Sequence, residues 1–306
     1  MGIVIFTSNH SLERAENLRA VYDAYDGEKE FWCIHPGRPL PDYHSGKYSL
    51  RVADELPNDS PGKCLFIGHG MGAGKTYGLD QPNGYFSRPD LITYAIASSV
   101  EMIPLVAGQC GISESQVIPL GMPRTDIFFQ KTEKNEGPYK CHLYAPTFRD
   151  RNSYTSWYPD WNIVSKQMPK DHRMLVKPHM WTGTILVKSD WDNIETRSSE
   201  APTEPILMAV DTLITDYSSI AFDMYVLRKP VILFAKDKDR YTRERGLYLS
   251  YPEMYSPYYF EREEEMCECL GYAEWDDSFE ALRTYYTGAC DGHSVERTLD
   301  VIRSLV

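Results

Sequence analysis

The residues best suited to chemistry in this sequence lie just past short apolar runs. The longest signal covers 213–225. Its opening, Leu213-Ile214-Thr215, ends at Asp216, and Tyr217, Ser218 and Ser219 follow before a second apolar stretch from Ile220. Two hydroxyls beside the free backbone N–H groups of a starting helix form a cradle for phosphate oxygens. The plainer alternative makes Ser218 a helix cap and Asp216 the closure of a turn.

A second signal is Gly68-His69-Gly70-Met71-Gly72-Ala73-Gly74-Lys75-Thr76. It is not a P-loop, because that motif needs glycine where His69 stands. The glycines instead allow a tight turn with exposed amides, and His69 is a candidate base, since imidazole titrates near neutral pH. A third signal, Lys177-Pro178-His179, places a cation and an imidazole after Met174-Leu175-Val176, a pairing that suits a diphosphate. Arg149 and Arg124 also follow strand-like segments and add positive charge. Asp237-Lys238-Asp239 has the form of a metal-binding Asp-X-Asp, but its charged surroundings make it a solvated turn, and no metal is expected. Glu261 to Glu265 is expected to be a solvated face.

Regular elements must hold these residues. Strand-like runs occur at 3–7, 31–34, 64–67, 94–97 and 116–120, and again at 141–145, 174–176, 212–215 and 231–234. Helical spacing covers Leu12 to Tyr25, Ile220 to Leu227 and Ser294 to Leu305. Strands alternating with helices give an α/β fold with parallel sheets. The polar stretch Gln130 to Lys140 separates two such series. The expected organisation is an N-terminal Rossmann-like acceptor domain (1–130), a linker (131–140), a C-terminal donor-binding domain (141–290) and a closing helix (291–306). Two Rossmann-like domains of this kind face a cleft, with ligands collected at the carboxyl ends of the strands.

The bulk properties narrow the function. The chain has 306 residues, enough for about two domains, and 42% hydrophobic residues support real cores. A net charge of −12 disfavours nucleic acid and a polybasic membrane anchor. Seven scattered cysteines form neither a disulfide framework nor a zinc site. The apolar opening breaks at Ser8-Asn9-His10, too early for a secretory core, so a cytoplasmic protein is expected.

Taken together, several stretches resemble the CDP-glycerol glycerophosphotransferase family, which includes the teichoic-acid primases and polymerases of Gram-positive bacteria. They are His69-Gly70 with Lys75, Gly121 to Asp126, Leu143 to Asp150, Lys177-Pro178-His179, and Leu213 through Phe234. The resemblance implies a GT-B fold and transfer of glycerol phosphate, or a related alditol phosphate, from a CDP-linked donor to a hydroxyl acceptor, releasing CMP. It implies His69 as base, and His179, Arg149, Lys177, Asp216, Tyr217, Ser218 and Ser219 as the donor site. Gly70, Lys75 and Arg124 fall on the acceptor side. It implies no cofactor, an acceptor that a lipid or glycan can carry, and at most peripheral association with the inner face of the membrane. The family's usual His-Gly-Thr-Pro-Leu-Lys is altered here, and Met180 stands where proline is usual, so donor handling carries over better than acceptor identity. The alternative within the same fold is a glycosyltransferase using a nucleotide sugar. A non-enzymatic nucleotide-binding protein is the third reading, and the retention of His69 and of Asp216 to Ser219 speaks against it.

Overall fold

The computed structural model describes residues 2–34, 41–57, 59–68, 70, 76–77, 88–130, 137–149, 157–179, 191–248, 251–252 and 255–306. His69, Lys75, Asp150 and Met180 lie outside them. The chain divides into two compact units, residues 1–130 with 284–306, and residues 131–283.

The first unit is built on β1 (Ile3–Ser8), α1 (Glu16–Ala24), β2 (Lys29–Cys33), β3 (Tyr48–Ala53), β4 (Cys64–Phe66), β5 (Tyr94–Ile96), α2 (Ile103–Cys110), β6 (Val117–Ile118) and α3 (Ile127–Gln130). Its six strands run parallel in the order β2-β1-β3-β4-β5-β6. Parallel strands covered on both faces read as unbroken apolar runs, and Val4, Ile5 and Phe6 of β1 are fully buried.

The second unit comprises β7 (Lys140–Tyr144), α4 (Trp161–Gln167), β8 (His172–Val176), β9 (Ile194–Thr196), α5 (Thr203–Ala209), β10 (Thr212–Thr215), α6 (Ile220–Val226), β11 (Val231–Phe234), α7 (Lys238–Arg245), β12 (Tyr259–Phe260) and α8 (Glu263–Cys269). Its strands are also all parallel, in the order β12-β11-β10-β7-β8-β9. This is the doubly wound dinucleotide-binding order, which reverses between β7 and β10. The core joins Tyr144, Met174, Val176, Ile214, Ile232 and Phe234 of the sheet to Val164 and Met266 of the helices.

The chain then runs through α9 (Asp277–Thr287) to α10 (Ser294–Leu305), which belongs to the first unit. Leu299 and Ile302 enter the core formed by Val4, Leu18, Leu50 and Leu65. Burying each such side chain contributes about 1.5–3 kcal/mol. The Asp126 carboxylate accepts the backbone N–H groups of Ser294 and Val295 at 3.1 and 2.7 Å, which fixes the start of α10. Gly121 has φ +83°, and a Cβ there would lie 2.4 Å from the Ala289 carbonyl oxygen, so this position requires glycine.

Strands β3, β9 and β12 are additions to the sequence reading. Asp237 and Glu263 correct it. Asp237 is no solvated turn, since its side chain is 8% exposed and ion-paired. Glu263, inside the expected solvated face, is buried against Lys236 and the Asp160 N–H, both at 2.8 Å. All seven cysteines are free thiols. Among the described residues, no helix is long and apolar enough to cross a membrane.

Candidate functional site

The polar residues singled out in the second unit gather at the carboxyl edge of three adjacent strands. Asp216 to Ser219 follow β10, Thr147 and Arg149 follow β7, and Lys177 and His179 follow β8. The crevice lies where the strand order reverses, the place at which open α/β sheets bind ligands.

A buried charge cluster forms its floor. Arg149 donates from Nε to Asp237 Oδ2 at 2.7 Å, and from Nη2 to Asp216 Oδ2 and Asp237 Oδ1, both at 2.9 Å. Its Nη1 donates to the Thr147 carbonyl at 2.8 Å. Trp157, Tyr217 and Tyr241 surround the guanidinium at 4.2, 5.0 and 4.8 Å. Burial opposes this charge, but Asp216 and Asp237 outweigh it and hold Arg149 firmly protonated. Asp216 Oδ1 accepts the backbone N–H groups of Thr147 and Tyr217 at 2.7 and 2.6 Å, so it ties the loop after β7 to the loop after β10. The Tyr217 hydroxyl donates to Asp237 at 3.0 Å, and its ring stacks on Tyr241. Arg149, Asp216 and Tyr217 thus form a satisfied frame, completed by Asp237. The sequence contained a cue to Asp237, since it lies three residues past the end of β11, as Asp216 lies just past the end of β10.

Ser218 and Ser219 differ from this frame. Ser219 occupies the cap position of α6 without a side-chain capping bond. Among the described residues neither hydroxyl has a hydrogen-bond partner. Both serines are half-buried, so the hydroxyls sit at the crevice with their bonding capacity unused. Lys177 and His179 are also half-buried. Lys177 Nζ lies 3.3 Å from the Ser199 carbonyl, and the His179 ring packs 4.8 Å from Phe148. Phe148 in turn lies 4.8 Å from the guanidinium of Arg245, a cation from α7 that the sequence did not suggest.

In the first unit the strand order reverses between β1 and β3. Arg51, 2% exposed, ion-pairs with Glu55 at 2.5 Å, and Thr7 Oγ1 donates to the same carboxylate oxygen at 2.9 Å. Ser8 Oγ donates to Asp54 at 2.9 Å. Burial, then the Glu55 carboxylate, pushes the Asp54 carboxyl up to about 9, and burial raises Glu55 too, so the pair shares a proton at neutral pH.

Asn17, also missed from sequence, joins two of the singled-out stretches. It is fully buried, donates from Nδ2 to the Gly68 carbonyl at 3.0 Å, and accepts the Arg124 N–H at 3.1 Å. Arg124 is buried, and its guanidinium lies 3.7 Å from Glu16. The start of α1 therefore holds the backbone that leads into His69. Gly70 is half-buried just beyond it. Among the described residues no group of three or more His, Cys, Asp or Glu is placed to hold a metal ion.

Comparison with known proteins agrees with this architecture. The sequence is similar to the teichoic acid poly(ribitol-phosphate) polymerase of Bacillus spizizenii, 28% identical over 264 residues, which are 76% of this chain and 42% of that one. It is 31% identical over 207 residues to the teichoic acid glycerol-phosphate primase of Bacillus subtilis, covering 62% of this chain and 54% of that one. The chain thus spans about half the length of these relatives. The fold is that of the wall teichoic acid polymerase TagF, with a TM-score of 0.76 at 18% identity, covering 99% of this chain and 88% of that one. It also matches the UDP complex of Staphylococcus aureus MnaA, with a TM-score of 0.62 at 13% identity over 100% and 98% of the two chains. Residues 49–303 match the CDP-Glycerol:Poly(glycerophosphate) glycerophosphotransferase family, and the chain belongs to that family.

Proposed function

We propose that this chain transfers glycerol phosphate, or a related alditol phosphate, from a CDP-linked donor to a hydroxyl acceptor in the synthesis of a cell-surface polymer. The observation that carries the reading is the pair of unpartnered hydroxyls, Ser218 and Ser219, beside a frame whose own polar groups are engaged. A ligand that supplies acceptor oxygens satisfies them, and a diphosphate does so with charge-assisted strength. Lys177 and His179, just past the end of β8, add donors to the same oxygens. Arg149, Asp216 and Tyr217 shape the crevice from beneath.

In the step itself, the acceptor oxygen forms a bond to the phosphorus that bears the alditol. The bond from that phosphorus to the bridging oxygen breaks, and CMP leaves with the electron pair. The acceptor proton passes to a base, for which His69 is the candidate. Gly70, Lys75 and Arg124 belong to the acceptor side. Fixed cations and dipoles serve the developing charge without requiring a cofactor. The reaction is assigned to the cytoplasm or the inner face of the membrane, with the protein attached peripherally at most.

A donor screen tests this reading. CDP-glycerol, CDP-ribitol and CMP should raise the melting temperature more than UDP- or GDP-sugars, because a ligand bound only to the native state stabilises it by mass action. Transfer should release CMP. Release of a nucleoside diphosphate from a nucleotide sugar would replace the proposal with a glycosyltransferase.

A further inference from the structure

One face of α7 is built into the donor crevice. Asp237 at its N-cap, Tyr241 and Arg245 recur every four residues, so they lie along one side of the helix. Asp237 and Tyr241 both meet the Arg149 guanidinium, and Tyr241 also stacks on Tyr217 at 3.9 Å. Arg245 ends the row and sets its guanidinium 4.8 Å from the centre of the Phe148 ring. Elsewhere on the helix Arg240 pairs with Glu244 in the open, where an ion pair contributes little. The row of three is therefore what α7 gives to the loop after β7.

In that loop Thr147 is fixed on both sides. Its N–H donates to Asp216 at 2.7 Å, and its carbonyl accepts Arg149 Nη1 at 2.8 Å. Phe148 follows directly and is half-buried. Its ring meets the Arg245 guanidinium and also the His179 imidazole, 4.8 Å away with the ring planes 42° apart. Both kinds of contact are attractive. His179 itself stands three residues past the end of β8, beyond the hydrogen bonds of the strand. An imidazole has three χ1 wells and a two-fold χ2, about six orientations in all, and a fixed phosphate oxygen is met by one of them. We propose that Phe148 is a positioning residue: clamped by Arg245 and by the frame beneath it, it fixes the His179 imidazole in the orientation that meets the donor diphosphate. The purpose of the clamp rests on the donor reading of His179, whereas the ring geometry does not.

The test joins imidazole NMR to calorimetric titration with CDP-glycerol in the absence of acceptor. The chain has eight histidines, and the signal lost in His179→Gln is that of His179. A neighbouring aromatic ring displaces that signal from the ordinary histidine position. Phe148→Leu should return it there, Arg245→Met should move it partway, and Phe148→Tyr, which keeps the ring, should leave it displaced. An unmoved signal in Phe148→Leu overturns the proposal, and if that variant does not fold, Arg245→Met decides in its place. In the titration a freed imidazole is correctly oriented about one sixth of the time, and apparent affinity falls with that fraction. Phe148→Leu should therefore weaken CDP-glycerol binding about three- to sixfold. His179→Gln should weaken it about tenfold or more, and Phe148→Leu should add nothing in that background. A loss that persists without His179 acts through the fold and overturns the proposal. An affinity unaltered by His179→Gln removes His179 from the donor site and reduces the clamp to packing. If CDP-glycerol does not bind the unaltered protein, the transfer reading fails, and the NMR signal still decides whether Phe148 holds the ring.

Discussion

The two sheets reverse their strand order at corresponding places and fill the resulting crevices differently. In the first unit Arg51 lies within β3, and the hydroxyls of Thr7 and Ser8 are spent on Glu55 and Asp54. One arginine beside two carboxyls that share a proton makes a cluster that neutralises itself. In the second unit Arg149 lies beyond the end of β7 and reaches two carboxylates, Asp216 and Asp237, while the hydroxyls of Ser218 and Ser219 stay unspent. A buried arginine supports both crevices. What distinguishes the second crevice is that the Ser218 and Ser219 hydroxyls keep their bonding capacity, whereas those of Thr7 and Ser8 are spent within the protein.

The sharpest test of this division concerns His69, which belongs to the first unit. His69→Ala should lower turnover by about 10²–10⁴-fold, the usual contribution of a positioned base. Affinity for the CDP-linked donor should be unchanged, because the proposed donor residues lie in the second unit. A folded His69→Gln variant with wild-type turnover would remove His69 from the reaction and leave His179 as the next candidate.

Next in size is the cost of removing each arginine. Arg149→Met leaves two buried carboxylates facing each other and should cost about 3–5 kcal/mol in urea unfolding. Arg51→Met leaves Asp54 and Glu55 already sharing one proton, and one further proton neutralises the site, so the loss should be smaller. Equal costs would mean that the two clusters are electrostatically alike. Replacing Ser218 and Ser219 together with alanine should weaken donor binding by about 1–3 kcal/mol and leave stability unchanged, since neither hydroxyl bonds within the protein. Unaltered donor affinity would place the phosphate cradle elsewhere.

The contrast between the crevices also explains what was legible in the sequence. Strands β7, β8 and β10 were readable because each carries an apolar run that stops at a polar signature, and those signatures line the candidate crevice. Strand β3 was hidden by Arg51, whose charge makes Tyr48 to Ala53 read as surface until Glu55 and Thr7 are brought to it. Asp237 sits among Lys236, Lys238 and Asp239, a composition typical of a solvated turn, and its partner Arg149 is 88 positions away. Asn17 lies on a helix face that periodicity marks only as buried, and its two partners are backbone groups. Pairings between distant polar residues leave no periodic trace, whereas the strand ends they serve do.

The smallest predicted effects are slopes of stability against pH, and they should have opposite signs in the two units. Asp54 has a folded-state pKa of about 9, raised from 3.8 by burial and by Glu55. Between those values the folded state holds a proton that the unfolded chain has released. The stabilisation from this group is therefore complete below pH 3.8 and is lost as pH rises through 9. His142 behaves in the reverse sense. It is fully buried on β7, its Nε2 lies 2.9 Å from His172 Nδ1 on β8, and burial followed by His172 lowers it from 6.5 to about 3. Here the unfolded chain takes up the proton first, so stability is lost as pH falls from 6.5 toward 3. Each slope is bounded by one proton, about 1.4 kcal/mol per pH unit. Asp54→Asn keeps an acceptor for Ser8 and a donor for Glu55 and removes the ionisation, so it should flatten the alkaline limb alone. His142→Gln keeps a hydrogen-bonding group for His172 and should flatten the acid limb alone. Urea midpoints from pH 4 to pH 9 measure both. If either variant flattens both limbs, the two units do not titrate independently. If Asp54→Asn leaves the alkaline limb unchanged, Asp54 does not hold the proton, and the coupled Glu55 becomes the candidate for it.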